Sequence, residues 1–313
     1  MKGVILAGGL GTRLRPLTEV TNKHLLPVYD RPMIYYPIQS LLTAGITEIM
    51  IVTGGDSAGD FLKLLKNGKH LGIKRLEYAY QEGEGGIADA LKLAEEFADG
   101  EKICVVLGDN IIEGNLRKAA GDFFTQPSGA KILLKEVQDP QRFGVVRFEG
   151  EGADKRVVEL IEKPSDPPSN MAVTGFYFYD NDVFEMCREL KPSGRGELEI
   201  TDVNNRYLER GDLTYETLEG WWTPAADCRS WWPRAARTMR RCPPRRVLAE
   251  RVCPGSGPYP RTASSCLARA GCSGARGANC SRNSAKILVF LDGMSAISRT
   301  RHPYGALSMA GRS

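Results

Sequence analysis

Arg13, Lys23 and Asp109 are the side chains of this sequence best suited to chemistry on phosphate. Arg13 closes the run Gly8-Gly9-Leu10-Gly11-Thr12-Arg13, which follows the apolar segment Gly3-Val4-Ile5-Leu6-Ala7, and Lys23 comes ten residues later. Glycines at the C-terminal end of a strand let backbone N–H groups approach a polyphosphate with no Cβ in the way. Arginine grips two oxygens through its fork, and lysine adds a compact charge. The run has neither the GK[ST] ending of a Walker loop nor the GxGxxG of dinucleotide enzymes. On spacing alone it is a phosphate cradle or a tight turn with surface cations. Asp109 ends the apolar run Ile103–Leu107, where a lone carboxylate is costly unless it is paired or binds a metal.

These residues are positioned by an alternation of strand-like and helix-like segments. Gly3–Ala7 reads as a first strand, and Met33–Leu42 carries a helical stripe that stops before Gly45. Glu48–Thr53 is a second strand, Phe61–Leu65 lies on a short helix, and Leu76–Tyr80 is a third strand. Ile87–Phe97 follows as a helix and Ile103–Leu107 as a fourth strand. That order predicts an α/β fold, a Rossmann-like, mixed but mostly parallel sheet with helices on both faces. Further strands are expected at 131–137, 145–148, 157–161, 172–179 and 213–218, with helices at 182–190 and 198–210. Ligands of such sheets gather beyond the carboxyl ends of the parallel strands. The residues found there are Gly8-Gly9, Thr53-Gly54-Gly55, Gln81-Glu82-Gly83 and Gly108-Asp109-Asn110, which suit phosphates, a base and a metal.

The 313 residues carry a net charge of +4, but this averages two unlike pieces. From Pro224 onward 15 Arg and one Lys stand against Asp227, Glu250 and Asp292, a net of +13. Residues 1–223 hold 26 basic and 35 acidic groups, a net of −9. Six of the eight cysteines lie in the basic tail, at 228, 242, 253, 266, 272 and 280, with no CxxC pair to suggest zinc. Cys104 and Cys187 sit in apolar surroundings, as in buried thiols of a cytosolic protein. No apolar run is long enough for a membrane span and no secretory signal is evident, so a cytoplasmic protein without a membrane partner is expected. Two domains are assigned: 1–223, the chemical one, and 224–313, an Arg- and Cys-rich tail in which only Ile287–Leu291 looks able to form a strand. The tail's composition suits a reading frame lost in a GC-rich gene, the alternative being a genuine basic extension that binds polyanions such as nucleic acid. A nucleic-acid partner is not expected.

Long phrases of residues 1–223 carry a stronger signal than spacing does. LAGGLGTRLRPLT, NKHLLPVYDRPMIYYPI, YQEGEGGIADAL, VLGDNI, DPQRFGVV, EKP, VTGFYFYD and GRGELEITDVNN occur in order. Together they resemble the sugar-1-phosphate nucleotidylyltransferase family, most closely its glucose-1-phosphate thymidylyltransferase branch. The resemblance implies coupling of dTTP to glucose 1-phosphate, giving dTDP-glucose and pyrophosphate, the first step toward dTDP-rhamnose and other deoxysugars. It implies Mg²⁺ as cofactor and leaves a homo-oligomer open. A sugar phosphate is already an anionic nucleophile, which agrees with the three histidines (His24, His70, His302) forming no triad-like or metal-ligand pattern.

Carried onto this sequence, the resemblance makes Arg13, Lys23 and Asp109 catalytic and Asp109 a Mg²⁺ ligand. Arg13 would stabilise the leaving pyrophosphate, and Lys23 the α-phosphate and the incoming phosphate. The nucleotide would lie on Leu6, Gly8, Gly9, Gly11, Thr12, Arg13, Gln81 and Gly86. Gln81 would offer a donor and an acceptor to thymine, and Gly86 its backbone. The sugar phosphate would lie on Asn110, Gly144, Glu162, Lys163, Val173 and Arg195. Glu162 would accept from glucose hydroxyls, Lys163 and Arg195 would grip the phosphate, and Asn110 would touch a hydroxyl or only shape its turn. Tyr177 reads as core rather than as a glucose contact.

One departure stands out. Where the family continues Thr-Asp-Ala-Gly after its paired tryptophans, with that Asp the second Mg²⁺ ligand, this chain has Thr223-Pro224, and Asp227 is poorly placed to substitute. The alternatives to a thymidylyltransferase are therefore a catalytically impaired nucleotide-sugar-binding protein and a related UTP-using enzyme.

Overall fold

A computed structural model describes residues 1–225 apart from Leu10, Ala153 and Asp154. Asp227, the tail cysteines and the strand expected at Ile287–Leu291 lie outside the described residues. The strands are β1 (Lys2–Ala7), β2 (Pro27–Val28), β3 (Arg31–Pro32), β4 (Glu48–Gly54), β5 (Arg75–Gln81), β6 (Ile103–Leu107), β7 (Asn110–Ile112), β8 (Ala130–Glu136), β9 (Gly144–Glu149), β10 (Arg156–Glu162), β11 (Met171–Tyr179), β12 (Leu213–Thr217) and β13 (Trp222–Pro224). The helices are α1 (Tyr35–Thr43), α2 (Ala58–Leu65), α3 (Ile87–Lys92), α4 (Glu95–Ala98), α5 (Arg117–Thr125), α6 (Val183–Glu189) and α7 (Ile200–Glu209).

The large sheet runs β10-β9-β11-β6-β1-β4-β5, with β8 paired to β11 and β12 to β8. Its β6-β1-β4-β5 section is parallel, and so is the β12–β8 pair. β11 returns antiparallel beside β6 and splits, pairing β8 along its length and touching β9 at Ala172↔Val145. The sheet is thus mixed, with the antiparallel strands supplied by the second half of the chain.

Period-two alternation in β1 explains the two helical layers. Val4 and Leu6 pack in one core with α3, α4, α6 and α7 residues such as Leu91, Phe97, Phe184 and Tyr207. Ile5 and Ala7 pack in the other, against Ile38 and Leu41 of α1, Phe61 of α2 and Phe123 of α5. Cys104 and Cys187 are buried free thiols, and burial pushes both up.

Three local features depart from the expected elements. The helix expected over 87–97 is two short ones, because the Leu93 and Ala94 N–H groups bond three residues back, to Ala90 and Leu91, and tighten the turn. α5 has a buried face made of Ala119, Ala120 and Phe123, and such small residues leave little periodicity to read. β7 and β13 form a separate ribbon in which Pro224 pairs in register with Asn110. The chain therefore keeps its course past Thr223, and Ala225 is buried with its N–H on the Asp109 carbonyl at 2.7 Å.

Candidate active site

The carboxyl ends of β1, β5 and β6 open into two adjoining cavities. The smaller, about 220 Å³, is lined by Leu6, Gly8, Gly9, Gln81, Gly86 and the Lys23–Asp109 pair. The larger, about 370 Å³, reaches from Gly11, Thr12 and Arg13 past the same pair to Gly144, Glu162, Lys163 and Val173. Lys23 and Asp109 line both, so they stand at the junction.

Their placement follows from the turns around them. Gly9 and Gly11 have φ of 90° and 61°, and a Cβ on Gly11 would lie 3.0 Å from Thr18 Cγ2. Both the conformation and the space there favour glycine. Asn22 donates from Nδ2 to the Ala7 carbonyl at 3.2 Å, and its Oδ1 accepts from the His24 N–H at 2.9 Å. That cap shapes the turn carrying Lys23. The His24 ring then covers Gly108, where a Cβ would come within 2.8 Å of it. Burial, with Lys23 beside it, lowers His24 to about 3, so the imidazole is neutral at physiological pH. The outcome is Lys23 Nζ at 2.9 Å from Asp109 Oδ2. Burial raises Asp109, but Lys23 and the Asn110 amide outweigh it and hold the carboxyl at about 2.

On the smaller side the Gln81 amide is fixed. Its Nε2 donates to the Gly86 carbonyl at 3.2 Å and to Asp89 Oδ2 at 2.9 Å. Two acceptors on one amide atom identify it as the nitrogen. Gln81 is 6% exposed, and Oε1 is left as the group it can offer a base. The expected donor-plus-acceptor offer from this side chain is therefore reduced to the acceptor. Among the described residues the Gly86 N–H makes no backbone hydrogen bond.

On the larger side Glu162 is held from three directions: by Thr201 Oγ1 at 2.7 Å, Lys163 Nζ at 3.1 Å and Arg195 Nη2 at 3.3 Å. Gly144 leaves room for this, since a Cβ there would sit 3.2 Å from both Glu162 Oε2 and Thr201 Oγ1. One expectation needs correcting. Arg195 does not line the cavity; it is tied to Glu199 at 2.7 Å and lies near Glu197 as well as Glu162, so its charge is spent on carboxylates. Asn110 is 2% exposed, with Oδ1 accepting from the Gly175 N–H at 3.0 Å and Trp222 Nε1 at 2.6 Å, and Nδ2 donating to Asp109 Oδ1 at 2.9 Å. Asn110 thus shapes its turn, and it also lines the larger cavity, so both of its expected roles stand open. Tyr177 is buried and also lines the cavity. Arg13 is exposed at the rim, with no carboxylate partner among the described residues.

Sequence reasoning passed over several lining residues. Gly175 must be glycine because a Cβ would fall 2.6 Å from the Asn110 amide. Arg142 reaches Asp139 at 2.8 Å beside Phe143, whose ring meets Trp222 edge-on at 5.2 Å. These residues fall within the phrases DPQRFGVV and VTGFYFYD and the paired tryptophans, but only the folded chain brings them together.

Asp109 fits a hard divalent cation in chemistry, being an ionised oxygen donor at the cavity junction. Pro224, which also lines the larger cavity, brings no second carboxylate. Among the described residues no three His, Cys, Asp or Glu side chains converge on a point. A Mg²⁺ held through Asp109 would take its other ligands from phosphate and water, as this ion usually does.

A profile of the nucleotidyl transferase family matches residues 2–237. The chain is 47% identical over 223 residues to a glucose-1-phosphate thymidylyltransferase of Neisseria meningitidis, covering 70% of this chain and 75% of the relative. It is 46% identical over 218 residues to the enzyme so named in Mycobacterium tuberculosis, covering 70% and 74%. Among solved structures it resembles a candidate glucose-1-phosphate thymidylyltransferase from Bacillus anthracis, with a TM-score of 0.71, 49% identity, and coverage of 77% and 95%. A UDP-glucose pyrophosphorylase, with a TM-score of 0.66 at 23% identity and coverage of 77% and 98%, shares the fold.

Proposed function

The chain belongs to the nucleotidyl transferase family, and on that premise we propose that it is a glucose-1-phosphate thymidylyltransferase. It joins dTTP to α-D-glucose 1-phosphate and releases dTDP-glucose and pyrophosphate. The observation that carries this reading is the pair of adjoining cavities with Lys23 and Asp109 at their junction.

The base and sugar of the nucleotide occupy the smaller cavity, with the triphosphate running along the Gly8–Arg13 loop toward the junction. Glucose 1-phosphate occupies the larger cavity, its hydroxyls facing Glu162. A phosphate oxygen of the sugar phosphate bonds to the α-phosphorus. The bridging P–O bond to the β-phosphate breaks, and pyrophosphate leaves with the electron pair. No general base is required, because the nucleophile arrives ionised. Lys23 sits where both phosphates converge and offsets their repulsion. Arg13, exposed at the rim, meets the charge that develops on the leaving group. Mg²⁺, when bound through Asp109, supplies further charge neutralisation for the triphosphate. Glu162 holds its geometry through Thr201, Lys163 and Arg195, and buried polar groups of this kind penalise sugars lacking the matching hydroxyl.

No helix among the described residues is long and apolar enough to cross a membrane. A cytoplasmic setting, supply of dTDP-glucose to deoxysugar synthesis and self-association belong to the same proposal. The direct test is incubation of the purified chain with dTTP, glucose 1-phosphate and Mg²⁺. Equal amounts of dTDP-glucose and pyrophosphate are expected. Nucleotide hydrolysis without sugar transfer would overturn the assignment.

A further inference from the structure

We infer that Asp89 is a positioning residue that locks the Gln81 amide with its oxygen toward the nucleotide cavity, so that the base admitted must carry an N–H where Oε1 waits. This rests on the thymidylyl reading and deepens it, by naming what sets the hydrogen-bond polarity of the base pocket. Gln81 reaches the cavity from the end of β5, and Asp89 stands in the first turn of α3. Asp89 Oδ2 accepts from Gln81 Nε2 at 2.9 Å, while Oδ1 meets Lys92 Nζ at 2.9 Å. The lysine, one turn along the same helix, fixes the carboxylate as the carboxylate fixes the amide. Gly85 lies so close beneath Asp89 that a Cβ there would overlap the carboxylate, which confines the side chain further.

The consequence is a choice between pyrimidines. Thymine and uracil carry an N3–H flanked by carbonyls. The N3–H can donate to Gln81 Oε1, and a neighbouring carbonyl can accept from the Gly86 N–H. Cytosine presents a bare N3 lone pair flanked by an amino group, so it would set acceptor against acceptor and donor against donor. Turning the amide over would let Nε2 donate to cytosine N3 and so repair one of the two mismatches. That turn would aim Oε1 at both the Asp89 carboxylate and the Gly86 carbonyl, and the charged partner opposes it more strongly. The Gln81 share of the discrimination against cytosine then comes from a group that never touches the base.

The test is calorimetric binding of dTTP and dCTP, each with Mg²⁺, to the full chain and to the Asp89→Ala, Asp89→Asn and Gln81→Ala variants. The readout is the dTTP-to-dCTP affinity ratio, which does not depend on the fraction of protein folded. Asp89→Ala should shrink this ratio by roughly tenfold, the effect of one hydrogen bond to a charged group. Asp89→Asn keeps an acceptor facing the amide and should stay within about threefold of the parent. If Asp89→Ala leaves the ratio unchanged while Gln81→Ala collapses it, the role of Asp89 is overturned and base reading by Gln81 stands. If Gln81→Ala also leaves the ratio unchanged, the base is read elsewhere and the nucleotide assignment of this cavity falls with it.

Discussion

Lys23 Nζ lies 2.9 Å from Asp109 Oδ2, joining the turn after the glycine loop to the turn after β6 across 86 residues of sequence. The pair is partly buried, so each charge depends on the other for its place. On the proposed reading, removing Lys23 takes the cation from the junction of the two cavities, where the phosphates would meet. Lys23→Ala and Asp109→Asn should each lower kcat by about 100-fold or more, a loss typical of preorganised charge at a reacting phosphate. Steady-state kinetics at saturating dTTP and glucose 1-phosphate measure it, with circular dichroism to confirm an intact fold.

Gly175 tests whether the support around Asp109 matters as much as the carboxylate itself. A Cβ there would fall 2.6 Å from the Asn110 amide, which is bonded to Asp109, to Trp222 and to the Gly175 backbone. Gly175→Ala should cost about 1–3 kcal/mol of stability, the range for overpacking a filled interior. It should also lower kcat at substrate saturation, because displaced Asn110 no longer orients Asp109. Chemical denaturation and kinetics on the same preparation separate the two effects.

His24 gives a pH signature. Its folded value of about 3 lies below the ordinary 6.5, so the unfolded chain binds the proton more tightly. The stability tied to neutral His24 is fully present above pH 6.5 and is lost as pH falls from there toward 3, by roughly 1 kcal/mol per pH unit. Urea midpoints measured from pH 7 to pH 4 should fall for the parent and fall less for His24→Gln. Asp109, held at about 2, contributes in the same direction, but only below pH 4, near the ordinary carboxylate value.

Pro224 bears on the metal. It pairs with Asn110 next to Asp109, so the ribbon is in place and a carboxylate is missing from it. From sequence alone, a single replacement here is expected to recover little activity, because the helix that follows in the family is unrecognisable in this chain. The paired ribbon keeps the local course of the chain at Pro224, and the segment that follows lies outside the described residues. Pro224→Asp should lower the Mg²⁺ concentration needed for half-maximal rate, and Asp109→Asn should raise it. A Mg²⁺ titration of initial rate reads both.

The parallel core was legible because its strands are continuous apolar runs ending in glycine or a polar residue. Ile103–Leu107 before Gly108-Asp109 is the clearest case. The glycines and charged residues that line the two cavities were legible for the same reason, since turn chemistry is local. What escaped was set by tertiary packing. α5 hid behind alanines, and the β7–β13 ribbon joins segments more than a hundred residues apart. Arg195 looked like a phosphate cation until the fold surrounded it with Glu162, Glu197 and Glu199. The bonds that fix Asn110, from the Gly175 N–H and Trp222 Nε1, come from segments far away in sequence and could not be read locally. Gln81 announced an amide at a strand end, but which atom faces the ligand depends on Asp89, eight residues on.

The division of labour between the two cavities is the claim on which the functional account turns, and an initial-rate matrix of dTTP against glucose 1-phosphate tests it directly. Gln81→Ala lines only the nucleotide side and should raise KM for dTTP about tenfold or more while leaving KM for glucose 1-phosphate near the parent value. Glu162→Ala lines only the sugar side and should do the reverse. If both variants shift the same KM, or if Glu162→Ala acts on dTTP, the two substrates do not meet across Lys23 and Asp109 as described.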